Sequence, residues 1–184
     1  MTWEERVEAH YRVAWRVEGE HRPFSAGPIH QLPVDFAIMR YAPLEERNMW
    51  AYATCGMSQP NDPKPIELHM FSPRPSPEIE ELLVITAHFH RTGATLDLGH
   101  SVNFGRPWLK GSTCDRGMIS LPYRDGPSLE DLRIGSDLVK CYWLVPITLA
   151  EVDYKQRNGL EALEQAFERA GFNYLDPQRA SVVT

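Results

Sequence analysis

Leu138-Val139-Lys140-Cys141-Tyr142-Trp143-Leu144-Val145-Pro146-Ile147-Thr148-Leu149-Ala150-Glu151 is the stretch whose reading decides the fold. From Leu138 to Ile147 it is nearly all apolar over a strand's length, as a central strand covered on both faces requires. Thr148 and Glu151 then have the spacing of a capping box, in which hydroxyl and carboxylate satisfy the first free backbone N–H groups of a helix. Asn158-Gly159 interrupts the helical pattern. Leu160, Leu163, Phe167 and Ala170 resume it up to Gly171, so the last helix is expected to pack through that face.

Upstream, three segments rich in aromatic and branched residues read as strands in an antiparallel meander: Val34 to Tyr41, Asn48 to Met57 and Pro65 to Phe71. Ser76-Pro77-Glu78 opens a helix with an N-cap, a proline at the first position and an acidic first turn, and Gly93 closes it. Its buried face is predicted as Ile79, Leu82, Leu83, Thr86 and Phe89. A first helix starts at the capping box of Thr2 and Glu5 and ends near Gly19. From there to Pro33, prolines and a glycine predict a surface connection. Between Ala94 and Tyr123, short apolar alternations broken by glycines and Pro107 predict strands joined by tight turns. The expected architecture is α+β: a mixed, mainly antiparallel sheet with packed helices, in one domain spanning residues 1–184.

Composition limits what such a domain does. With 19 Lys and Arg against 25 Asp and Glu, a net charge of −6, the chain lacks the attraction to phosphate that dominates nucleic-acid binding, so no nucleic-acid partner is expected. No apolar run reaches membrane-spanning length and the N-terminus lacks a signal-peptide pattern, so no membrane partner and a cytoplasmic location are expected. Cys55, Cys114 and Cys141 lack CxxC spacing and fit a reducing compartment.

Catalytic and metal motifs are weak. His88 and His90 would converge on a strand but stand roughly 200° apart on the helix predicted there. Ser101 has Gly99 two residues before it, but Asn103 occupies the place where a nucleophile elbow needs glycine. Phosphate-loop patterns are missing from the glycine-rich tract Gly105 to Gly117. No cofactor and no metal are expected.

Several phrases, in this order and spacing, resemble the suppressor of fused family: Ile66-Glu67-Leu68-His69-Met70-Phe71, Leu98-Gly99-His100-Ser101-Val102-Asn103-Phe104, Pro107-Trp108, Val145-Pro146-Ile147-Thr148 with Glu151, Asn158-Gly159-Leu160, and Asp176-Pro177-Gln178-Arg179. The resemblance runs from about Val34 onward, leaving residues 1–33 as an N-terminal helix and loop. Gly99 departs from animal members, which carry an acidic residue before the matching histidine. The resemblance implies a protein-binding domain without catalytic residues. Many bacterial relatives look like immunity proteins that neutralise toxins of polymorphic toxin systems, so the expected partner is another protein such as a toxin domain.

On that reading, Trp108 and Tyr123 stand in turn-rich segments where binding surfaces concentrate, and are candidate contact anchors. Asp125, Glu130 and Asp131 would complement a basic partner surface. Structural roles fall to His100, whose two ring nitrogens would tie neighbouring strands at a tight turn, and to Arg179, in an internal ion pair or cap. Two alternatives stay open: an adaptor that takes up an extended peptide along a sheet edge, and a small hydrolase using His88, His90, Asp97 or His100.

Overall fold

A computed structural model describes residues 1–24 and 27–184. The helix at the N-terminus, α1 (Trp3–Trp15), is capped as its sequence predicts, Thr2 and Glu5 exchanging hydrogen bonds. It ends at Arg16 in the left-handed region, earlier than the expected Gly19. The segment expected to be only a connection then pairs as strand β1 (Gly19–Arg22) with β2 (Ala37–Tyr41). β1 has no apolar alternation because it is an edge strand. It is held by backbone pairing and by Glu20, which faces Arg40 across the ladder and binds its guanidinium. Gly19 is needed at that point, since a Cβ there would come within 2.8 Å of Met39 and Tyr41 side chains. Of the connection that follows, a 3-10 turn at Pro28–Gln31 is described, and Ser25 and Ala26 lie outside the described residues.

β2, β3 (Trp50–Cys55) and β4 (Ile66–Ser72) form the expected antiparallel meander. The first strand begins at Ala37 rather than Val34 because the Phe36 N–H turns back to the Pro33 carbonyl. Helix α2 (Pro77–Thr92) follows, then the hairpin of β5 (Ser101–Asn103) with β6 (Arg116–Ser120). A one-turn helix, α3 (Pro127–Glu130), leads into β7 (Asp131–Ile134). The decisive apolar run is β8 (Asp137–Ile147), followed by α4 (Leu149–Asn158) and α5 (Leu160–Ala170). Thr148 and Glu151 form the capping box of α4, and Gly159 separates the last two helices.

The eight strands make one sheet in the order β1-β2-β3-β4-β8-β6-β5, with β7 also on β8. Among the described residues only the β4–β8 pair is parallel. β8 is central and covered on both faces. Its Tyr142 and Leu144 lie with Leu68, Met70 and α2 residues such as Leu82 in one core. Its Cys141, Trp143, Val145 and Ile147 lie in the other with Tyr11 and Trp15 of α1 and Leu163 and Phe167 of α5. In α2 the buried stripe runs through Ile79, Leu82, Leu83 and Thr86 as predicted, but continues to Ala87 and His90. Phe89 is 43% exposed and packs beside Gly93 instead. Likewise α5 buries Ala166, while Ala170 is exposed.

Candidate functional site

β6 and β7 pair end to end with the same edge of β8: Ser120 opposes Trp143 and Asp131 opposes Lys140. Between these two contacts the chain leaves the sheet from Leu121 to Glu130. The excursion is fastened to α1 at two points. The Trp15 indole N–H donates to Asp125 Oδ1 (3.0 Å), and the His10 ring donates to the Leu129 carbonyl (2.8 Å). At its tip Tyr123 is 59% exposed.

Opposite Tyr123 stands α5, and between them lies a groove of about 750 Å³ over β6 and β8. Trp143 and Val145 belong to its base, and Phe172 and Tyr174, just after α5, to one end. The Trp143 and Tyr174 rings meet edge to face at 5.0 Å, and Phe172 stacks on Phe167 at 4.2 Å. Three carboxylates of α5, Glu161, Glu164 and Glu168, line the groove together with Arg124. They share a helix face because residues three and four apart are neighbours. The Trp143 indole N–H and Glu164 Oε1 are buried without a hydrogen-bond partner. Burial pushes the Glu164 carboxyl upward, and burial together with the Glu164 charge does the same to the Tyr123 hydroxyl.

The structure brings only Tyr123, of the expected anchors, to this groove. Trp108 is a correction: it is 1% exposed and fills the core beneath α2. Its turn-rich segment folds inward, the Trp108 N–H donating to the Cys114 carbonyl and the indole N–H to Ser112 Oγ, both at 3.0 Å. Asp125 is half-buried and spends one oxygen on Trp15. Glu130 and Asp131 pair with Lys140 at 2.8 and 2.5 Å, a partly exposed internal triad that holds β7 to β8. These three carboxylates do not face the groove.

Arg179 is buried, and its partner is not its neighbour Asp176. It forms a two-pronged pair with the buried Glu151 at 2.7 and 2.8 Å and donates to the Pro146 carbonyl at 2.9 Å, so the chain's end is tied to the cap of α4. His100 is exposed, and its Nδ1 accepts the Asp97 N–H at 3.2 Å, so the ring holds its own turn and does not bridge strands. The strand link at this turn is made by backbone, Gly99 and His100 exchanging bonds with Ile119.

The helix turns His88 and His90 apart. His90 is buried, its Nδ1 accepting the Leu96 N–H at 2.9 Å, and His88 bonds Gln31. Asp97 is engaged by Lys64 and Ser101 by Lys155. Among the described residues no group of three or more His, Cys, Asp or Glu is placed to hold a metal ion. Burial raises all three cysteine thiols, which keeps them protonated.

Two buried polar residues of β4 carried no readable signal beyond their place in an apolar strand. Glu67, fully enclosed, accepts bonds from the Thr54 and Ser58 hydroxyls (2.5 and 2.6 Å) and from the N–H groups of Gly56, Met57 and Ser58. It thereby fixes the turn after β3, where Gly56 holds φ +88°. His69 lies among the rings of Tyr11, Trp15 and Phe71 with no partner for either nitrogen, and burial lowers it to about 3.

A sheet in this order, with one parallel pair and helices on both faces, defines an α+β domain of the suppressor-of-fused type. The chain belongs to that family: the model described as Suppressor of fused protein (SUFU) matches residues 30–180. Among solved structures it is similar to a SUFU homologue from Neisseria gonorrhoeae at 32% identity, over 99% of this chain and 97% of that one, with a TM-score of 0.87. The fold is shared at 15% identity with a chain of the Sufu–Fu complex (98% and 92% covered, TM-score 0.72). It is shared at the same identity with Drosophila Suppressor of Fused (TM-score 0.70), where 98% of this chain matches 51% of the other. No curated protein matches this chain. No helix among the described residues is long and apolar enough to cross a membrane.

Proposed function

We propose that this chain is a single, non-catalytic protein-binding domain that acts in the cytoplasm as an immunity protein, neutralising a cognate toxin by covering it. The observation that carries the reading is the groove between the Tyr123 excursion and α5. Its exposed tyrosine, aromatic end and carboxylate wall are what a protein partner's side chains need for burial and pairing. Family membership supports a protein partner, since a relative of the same fold was solved in the Sufu–Fu complex. The net charge of −6 favours encounter with a basic toxin. Co-expression with its cognate toxin domain should restore growth and give a complex stable to gel filtration. Tyr123→Ala should shorten the life of that complex, costing about 2 kcal/mol of affinity. A toxin that kills equally well with the chain present, and elutes apart from it, sinks the proposal.

A second reading, an adaptor that adds an extended peptide to the sheet, is favoured by edge strands such as β1 and β5. Backbone amide exchange separates the two: protection gained at β1 or β5 on complex formation supports edge addition, and protection confined to the groove supports occlusion.

A further inference from the structure

The groove holds two of the buried polar atoms that lack a partner. Trp143 is 5% exposed, belongs to the groove's base, and its indole N–H has no acceptor. Glu164 Oε1, on the facing helix, is a buried acceptor with no donor of its own, although the Tyr123 and Ser120 hydroxyls stand beside its carboxylate. Buried polar atoms are almost always paired, and leaving one unmade costs more than the bond itself contributes. An occupant that offers an acceptor to the indole and a further donor to Glu164 therefore satisfies both.

Charge narrows the choice. Glu161, Glu164 and Glu168 face the space against one cation, the exposed Arg124, and among the described residues none of the four belongs to an ion pair. An anion would satisfy the indole but meet three carboxylates. A wholly apolar side chain would leave both orphans buried. A lone cation would satisfy Glu164 and leave the indole. A cationic side chain carried on a peptide backbone satisfies both, its head pairing with the carboxylate and a neighbouring carbonyl accepting from the indole. The exposed ring of Tyr123 favours a flat guanidinium, which stacks on such a face, over an ammonium.

We infer that the groove receives an arginine of the partner protein, held in an extended segment, with its guanidinium on Glu164 and a backbone carbonyl on the Trp143 indole. This rests on the reading of the groove as a protein-binding surface and names what it recognises.

The test uses the full chain, 15N-labelled, with the Trp143 indole resonance assigned by its loss in Trp143→Phe. N-acetyl-L-argininamide should move that resonance saturably. N-acetyl-L-norleucinamide, which lacks the charge, and methylguanidinium, which lacks the carbonyl, should each bind about tenfold more weakly. Glu164→Gln, nearly the same shape, should weaken the argininamide about tenfold while Trp143 stays in place and the melting temperature holds. Glu168→Lys, on the exposed rim, gives a second variant that should weaken binding without touching the core. An indole resonance that argininamide leaves still means that a bridging water fills the space, and overturns the proposal. Equal binding of norleucinamide overturns it as well. A silent indole beside an intact toxin complex removes the arginine and leaves the protein-binding reading standing. A saturating probe in a chain that captures no toxin keeps the arginine and removes the immunity role.

Discussion

Strand β4 shows how differently the two faces of the sheet are built. Ile66, Leu68 and Met70 meet the underside of α2 in a layer of aliphatic and aromatic side chains. From the same strand Glu67 and His69 point the other way, Glu67 to the turn after β3 and His69 among the rings of Tyr11 and Trp15 of α1. Among the described residues, the buried polar side-chain atoms without a partner belong to Tyr11, Tyr41, Arg47, His69, Asp125, Trp143 and Glu164, all on or bordering this second face. Among the described residues the α2 core leaves no buried polar side-chain atom without a partner. The other face keeps polar groups that cost stability, and the groove with its unmatched donor and acceptor opens on that side.

The largest effect should fall on the α2 face. Trp108→Ala removes a wholly enclosed side chain and should cost about 3–5 kcal/mol in urea unfolding, with no effect of its own on partner binding. A loss under about 1 kcal/mol would mean that Trp108 is not the core residue its burial makes it.

His69 tests the opposite face. Its folded-state value, near 3, lies below that of the unfolded chain, about 6.5, so the unfolded state takes up the proton first. Stability is complete above pH 6.5 and falls as the pH drops toward 3. At pH 5 the loss from this group should be about 2 kcal/mol relative to pH 7.5. His69→Phe should remove that share of the acid sensitivity and leave stability at pH 7.5 equal or higher, because two unpaired nitrogens go with the ring. Parallel pH profiles for the two proteins would break the comparison.

The smallest effect belongs to the carboxylates beside Lys140. Glu130→Gln with Asp131→Asn should lower stability by less than about 1 kcal/mol, because the triad is partly exposed and screened by salt. Thermal melts at low and high salt should converge.

What the sequence made legible was local. The apolar run of β8 and the capping boxes at Thr2 and Thr148 are complete within a few residues, and they emerged where expected. β1 was invisible because a four-residue edge strand gains its structure from β2 and carries no pattern of its own. Trp108 was misplaced because turn residues mark where a chain bends without saying which way it bends. Gly105 and Gly111, both at positive φ, send that segment inward. The groove was half legible. Tyr123 stood out in its segment, but Trp143 and Glu164 become a pair only when α5 is laid across β8.

The excursion from Leu121 to Glu130 starts and ends on a single strand. Ser120 and Asp131 are both hydrogen-bonded to β8, so strand register is settled on either side whatever lies between. Changing a surface loop's length by a few residues costs little closure entropy. The exposed tip at Tyr123 can therefore vary while Asp125, Leu129 and the strand register keep the rest of the segment on its scaffold.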